Sequence, residues 1–360
     1  MTKINLSPPP PQSTCAVSVV IPMYNAERYI GALLDSLLAQ MFTNFEVIIV
    51  DDCSTDNSCA VVEGYMPKFR GRLKLSHMKK NSGGPGAPCN KAIAHARGKY
   101  VYQMDDDDLL TNNALETLYN AAENFNADVV HTARHILFRD DPSNPFPAPE
   151  KLLVTQSSVD KVIIDPENPS ERIKIFCMDG TAVPGWQKLV RRDFLIENEI
   201  SFQEDVKASQ DITWTIELVY YAKRYVRLPQ PLYVYRQRPD SVSHRERLGV
   251  ESILYRGELL TKNVEFICEF FDKQQFFQDN PQYAWMLLDW LERRYAKGFG
   301  RALLTVPPHE AQKVLAENFA EDFGVHGNLI AYLCTSANVA RLREQYYLQK
   351  INELERRLKT

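Results

Sequence analysis

With 360 residues, 44% apolar and 24% charged, the chain holds material for about two domains and a substantial core. A net charge of −4 gives no bulk electrostatic case for nucleic acid, so none is expected as a partner. Seven cysteines, scattered and without a CxxC pair, argue for a reducing compartment and against a disulfide framework or a structural zinc site.

Residues 1–14 read as a disordered tail with a polyproline-like stretch, and show no charged-then-apolar leader. No apolar run reaches the length of a membrane span, so a cytoplasmic protein is expected. The β-branched run 16–21 predicts a buried parallel strand. Ile30, Leu33, Leu34, Leu37 and Leu38 follow helical spacing. Residues 45–50 predict a second buried strand, and the capping-rich stretch 51–58 opens a helix through Val61 and Val62. A weaker strand over 73–77, a flexible turn over 81–86 and a helix over 87–97 follow, with Gly98 as the helix stop. A strand over 99–104 comes next, and Thr111 or Asn112 begins another helix. This alternation predicts a doubly wound, mostly parallel sheet flanked by helices.

Beyond residue 128 the pattern changes. Strands are expected at 128–132, 135–138, 186–190, 225–228 and 232–235, a Pro-rich loop at 140–149 and a helix at 211–222. Residues 248–335 are helix-like, with a core-type aromatic stripe at Phe266, Phe270 and Phe271. The last helix places Tyr347, Ile351, Leu354 and Leu358 at 4-3-4 spacing, which suits self-association. Residues 341–359 carry six basic and three acidic side chains, which permits a peripheral contact with the inner face of a membrane.

Four consecutive aspartates, Asp105 to Asp108, follow the fourth strand. Crowded carboxylates repel one another, and a divalent cation would relieve them. In an extended chain Asp105 and Asp107 would share one face and Asp106 and Asp108 the other. A solvated loop or an acidic helix start explains the run equally well when it is taken alone. Ligands of parallel sheets bind outside the strands' carboxyl ends. Pro22–Asn25 and Asp51 with Asp52 stand at two further carboxyl ends, so three polar clusters would meet in one crevice.

The segments VSVVIPMYN (17–25), VDDCSTD (50–56) and RGKYVYQMDDDD (97–108), then WQKLVRRDFL (186–195) and YVYRQR (233–238), resemble the family 2 glycosyltransferases of GT-A fold. The resemblance covers roughly residues 15–247. It departs at Cys53, where the family has Gly, and at Gln210, where it has Glu. It implies a GT-A domain over 15–247, with a nucleotide-sugar half (15–132) and an acceptor half (133–247). A helical domain (248–336) and a terminal amphipathic helix (337–360) would follow.

The implied reaction is metal-dependent, inverting transfer of a sugar from a nucleotide-diphosphate donor, a UDP-sugar, to a hydroxyl of a glycan or lipid-linked acceptor. Surface-polysaccharide synthesis is the implied setting. Pro22, Tyr24, Asn25 and Glu27 would surround the nucleotide, and Asp52 would accept from its base. Asp107, with Asp105 and His244, would hold Mn²⁺ or Mg²⁺, and Asp105 and Asp106 would also touch the donor. Asp211 would be the general base. Arg236 and Arg238, with Arg245 and Arg247, would close over the diphosphate. Trp186 and Lys188 would line the acceptor site.

Two rival classes fail on motif. No GxGxxG follows the first strand, and the Gly-Pro stretch at 83–88 lacks the Gly-Lys-Ser/Thr ending of a phosphate-binding loop. A catalytically degenerate relative serving as an assembly partner remains the non-enzymatic alternative.

Overall fold

The computed structural model describes residues 15–140, 152–178, 183–238, 247 and 249–319. The chain divides into two compact units, Met1–His244 and Arg245–Thr360.

The first unit opens with alternating strands and helices: β1 (Val17–Met23), α1 (Ile30–Leu38), β2 (Phe45–Asp51), α2 (Ser58–Phe69), β3 (Leu73–His77), α3 (Gly86–His95) and β4 (Tyr100–Gln103). Every residue of β1 and β2 is buried, as a strand covered on both faces requires. Then come β5 (Leu109–Leu110), α4 (Ala114–Phe125), β6 (Val129–Arg139), β7 (Leu153–Val154), β8 (Ile163–Ile164) and α5 (Pro169–Met178). A 3₁₀ turn (Gly185–Gln187), β9 (Lys188–Arg191), α6 (Arg192–Glu197), α7 (Gln210–Tyr221) and β10 (Tyr225–Gln237) complete it.

The sheet order is β3-β2-β1-β4-β9-β6-β10-β5, with β7 on β6 and β8 on β10. The long ladders, β1 with β2 and β6 with β10 among them, are parallel, whereas β9 runs antiparallel between β4 and β6. The chain leaves β1 on one side for β2 and β3, then returns to β4 on the other. The switch point therefore lies between the carboxyl ends of β1 and β4, where a doubly wound sheet opens a crevice.

Several expectations are corrected. The paired strands expected at 128–138 are one strand, β6, and those at 225–235 are one strand, β10. β10 survives Pro229 and Pro231 because its register on β6 shifts around Pro231, and such a bulge tolerates the missing donor. Gly98 does not stop the helix: α3 ends at His95 and its cap is Ala96. Gly98 is needed for close approach instead, since a Cβ there would stand 2.5 Å from the Ser18 amide nitrogen. Its own amide donates to Ser18 Oγ at 2.8 Å, which pins the entry of β4 to β1.

The second unit is helical over its described residues: α8 (Gly249–Lys273), α9 (Gln275–Asp279), α10 (Pro281–Leu304) and α11 (Pro308–Phe319). Phe270, Phe271 and Phe277 are buried together, and Asn263 of α8 donates to the Tyr295 hydroxyl of α10 at 3.1 Å. The tail at 1–14 and the terminal helix at 337–360 lie outside the described residues. No described helix is long and apolar enough to cross a membrane.

Candidate active site

The aspartate run is not extended. β4 ends at Gln103, and residues 106 and 107 form a turn closed by the Asp108 amide on the Asp105 carbonyl at 3.5 Å. Strand alternation therefore does not sort the four side chains. Each finds its own partner. Asp105 accepts from Gln103 Nε2 at 2.8 Å, and Asp106 accepts the Tyr24 amide at 3.0 Å, bridging the ends of β4 and β1 across the switch point. Asp107 takes Arg238 Nε at 2.6 Å. Asp108, fully buried, accepts the Tyr233 hydroxyl at 2.6 Å and the Arg236 amide at 2.7 Å.

Burial, then the neighbouring charge of Asp107, pushes the Asp105 carboxyl up to about 7 and that of Asp106 up to about 8. The same two causes raise Asp108 well above the carboxylate range. Negative charge is crowded at this turn.

The charge of Asp211 adds to the rise at Asp105, so the start of α7 lies within electrostatic reach of the run. What positions α7 is a segment without a recognisable motif. The amide nitrogen of Asn90 donates to the Phe202 carbonyl at 2.8 Å and its oxygen accepts the Phe202 amide at 2.9 Å. Cβ atoms at Gly84 and Gly86 would fall 2.3 Å from the Val206 carbonyl oxygen and 2.2 Å from that of Gln203. The Gly-Pro turn expected to be flexible thus seats the chain that leads into Asp211.

The nucleotide-side residues form a network of their own. Pro22 is buried in β1, and Tyr24 is half exposed at the mouth of the crevice. Asn25, at φ +51°, receives the Thr55 amide at 2.8 Å and donates its own amide to Ser54 Oγ. Both oxygens of Glu27 accept from Asn57, so Glu27 braces the loop before α2. Asp52 is buried and accepts the Ser82 amide and hydroxyl, the latter at 2.8 Å. A carboxylate offers about four lone-pair sites, so Asp52 keeps capacity for a further donor. Cys53 holds φ +65°, a conformation that favours glycine.

A family model, glycosyl transferase family 2, matches residues 18–184. The uncharacterized glycosyltransferase YibD of Escherichia coli (strain K12) is 31% identical over 244 residues, 68% of each chain. The chain is a family 2 glycosyltransferase. The poly(ribitol-phosphate) beta-N-acetylglucosaminyltransferase TarS of Staphylococcus aureus (strain MW2) is 34% identical over 223 residues, 61% of this chain but only 35% of TarS. The chain thus spans about a third of that relative. The crystal structure of S. aureus TarS 1-349 in complex with UDP-GlcNAc superposes with a TM-score of 0.60, covering 93% of this chain and 92% of that one at 23% identity, a likeness of fold.

In this glycosyltransferase three expected site residues are drawn into the interior. Arg236 is buried, and its guanidinium binds the Asp107 carbonyl at 2.8 Å and Asp140 at 3.1 Å. It props the aspartate turn from beneath and offers no lid. Lys188 is fully buried and donates to the Val183 and Pro184 carbonyls at 3.0 and 2.8 Å. Trp186 stacks on Tyr233 at 4.2 Å between centroids, and its carbonyl accepts the Tyr102 hydroxyl. Trp186 thus packs on the tyrosine whose hydroxyl holds Asp108, and Lys188 holds the backbone before the 3₁₀ turn. Arg238 differs, being partly exposed and lying 4.8 Å from the Tyr29 ring centre. Arg247 belongs to the second unit, over the Tyr255 ring at 3.8 Å. His244 and Arg245 lie outside the described residues.

Sequence reasoning missed Asn90, Tyr233 and Asp140. Tyr233 stands inside a quoted motif, but its hydroxyl serves Asp108 only once β10 is laid beside β5. Asn90 carries a weaker signal, a polar residue in the middle of a helix that is otherwise mostly buried.

Proposed function

We propose that this glycosyltransferase transfers a sugar from a UDP-sugar donor to a hydroxyl of a surface polymer, with inversion at the anomeric carbon. The observation that carries the reading is the meeting of three elements at the switch point. Tyr24 after β1 is bonded to Asp106 after β4, and Asp211 at the head of α7 acts electrostatically on Asp105. A base opposite a crowded acidic turn is what displacement by an acceptor hydroxyl requires. The chemistry named for TarS, N-acetylglucosamine transfer to poly(ribitol phosphate), supports a UDP-linked hexosamine and a polyol-phosphate or glycan acceptor.

In this reading Tyr24 lies against the base, Asn25 shapes the ribose side, and Asp52 spends its remaining acceptor capacity on the base. Asp211 takes the proton of the acceptor hydroxyl. Arg238 leaves Asp107 for the diphosphate, where a forked guanidinium suits phosphate oxygens. The residues at the turn fit a hard divalent cation, because they offer carboxylate oxygens where negative charge is already in excess. Asp107 and Asp105 would hold Mn²⁺ or Mg²⁺, which when bound neutralises the leaving diphosphate.

The test is a panel of nucleotide sugars offered to the purified chain with Mn²⁺, Mg²⁺ or chelator, with poly(ribitol phosphate) and glycan acceptors. Metal-dependent UDP release with at least one UDP-sugar is expected. Failure to bind any nucleotide, with or without metal, would sink the proposal.

A further inference from the structure

A second cluster of ligand-type side chains lies away from the aspartate run. A carboxylate oxygen of Asp51, Cys59 Sγ and His77 Nδ1 all lie within 4.8 Å of one another. They come from three elements. Asp51 ends β2, His77 ends β3 in register with it, and Cys59 is the second residue of α2. His77 Nδ1 stands 3.2 Å from Asp51 Oδ2 and 4.0 Å from Cys59 Sγ. A tetrahedral zinc ion with ordinary bond lengths would set these separations at about 3.3 and about 3.6 Å. The nitrogen–oxygen separation already matches, and the nitrogen–sulfur separation exceeds its ideal by only a few tenths of an ångström.

We propose that Asp51, Cys59 and His77 form a second metal site, selective for a borderline-soft divalent cation of the zinc class. The donor set decides the class. A thiolate and an imidazole favour zinc or cobalt over the hard ions that carboxylates alone would take. On binding, the S–H bond gives way to a sulfur–metal bond and the proton passes to solvent. The His77 side chain is 55% exposed, so water or an outside ligand fills the fourth position. Asp51 also accepts the Ser54 amide at 3.1 Å, and Ser54 Oγ takes the Asn25 amide at 2.9 Å. The site therefore anchors the same loop that shapes the nucleotide side of the crevice.

The test is titration of the full-length chain with Co²⁺, followed by visible and near-ultraviolet absorption. One equivalent should produce a thiolate-to-cobalt charge-transfer band with tetrahedral d–d bands, and Zn²⁺ should bleach both. Cys59→Ser should abolish the charge-transfer band. His77→Ala should weaken cobalt binding at least tenfold, and Asp107→Asn should leave the spectrum intact. Zn²⁺ should raise the melting temperature of the parent chain and not that of Cys59→Ser, a readout that also verifies that the variant folds. Absence of the band in the parent chain, or its persistence in Cys59→Ser, would overturn the proposal.

Discussion

Arg238 Nε donates to Asp107 Oδ2 at 2.6 Å, so the carboxylate proposed above to hold a cation already carries a guanidinium. The pair is partly buried, with side-chain exposures of 20% and 12%. It balances charge at the turn when neither metal nor donor is bound. With a cation on Asp107 as proposed above, the arginine and the incoming cation would compete for the same oxygen.

Replacing Arg238 with Gln should separate binding from chemistry. Loss of the pair costs about 1–3 kcal/mol of stability without metal, as for a charged hydrogen bond that is only partly screened. The variant should bind Mn²⁺ several-fold tighter, since nothing needs displacing, yet transfer more slowly. Calorimetric titration with Mn²⁺ against initial rates reads both. An unchanged Mn²⁺ affinity would show that the arginine and the cation do not compete.

Asp211→Asn should hold nucleotide affinity within a few-fold of the parent while transfer falls by about 10²–10⁴, the usual contribution of a placed base. Parallel measurement of UDP binding and sugar transfer checks it. Normal transfer would place the base elsewhere.

Lys188→Met tests a structural assignment. The buried ammonium satisfies two backbone carbonyls, so its loss should cost about 1.5–3 kcal/mol in urea unfolding. The acceptor KM should stay within about twofold, because a group that never meets the acceptor changes stability and not binding. A selective rise in acceptor KM without a stability loss would return Lys188 to the acceptor site.

Stability should also depend on pH through His131. Neither of its ring nitrogens has a hydrogen-bond partner among the described residues. Burial, then the charges of Lys188 and Arg227, holds its pKa well below the imidazole range. The unfolded chain then binds a proton below about pH 6.5 that the folded chain refuses, so stability is present above that pH and lost as pH falls. The loss approaches about 1.4 kcal/mol per pH unit. His131→Leu should remove that share of the slope; what remains is owed to His135, whose pKa is lowered by burial as well, and, with the opposite sign, to the raised carboxyls of Asp105, Asp106 and Asp108. Urea midpoints at several pH values between about 5 and about 7.5 decide it. Equal slopes in parent and variant would refute the assignment.

Cys53→Gly should stabilise the chain. A non-glycine residue at positive φ costs about 1–2 kcal/mol, and the entropy loss of glycine returns about 0.5–1 of that. A rise of a few degrees in melting temperature is expected. No rise would mean that the Cys53 Sγ contact with the Met78 carbonyl, at 3.5 Å, offsets the strain.

Local pattern made the first hundred residues legible. β1 and β2 stand where apolar, β-branched runs predicted them, β3 stands on the weaker strand expected at 73–77, and α1 lies on its leucine stripe. The acceptor half was less so. α5 and α6, and the two-residue strands β5, β7 and β8, gave no periodic signal, since an element of two residues completes no period.

By itself the sequence determined the fold class, the family and the three strand ends that would meet, because motif order and hydrophobic period are local properties of the chain. Only the tertiary structure decided what each side chain does there. Arg236, in β10, and Arg238, just past its end, are two residues apart, yet Arg236 is buried with its guanidinium on the Asp107 carbonyl while the partly exposed Arg238 binds the Asp107 carboxylate. Asp51, Cys59 and His77 show no metal spacing along the chain and are neighbours only because β2 and β3 end where α2 begins. Burial and charge depend on what packs against a residue from far along the chain, and no local pattern records that.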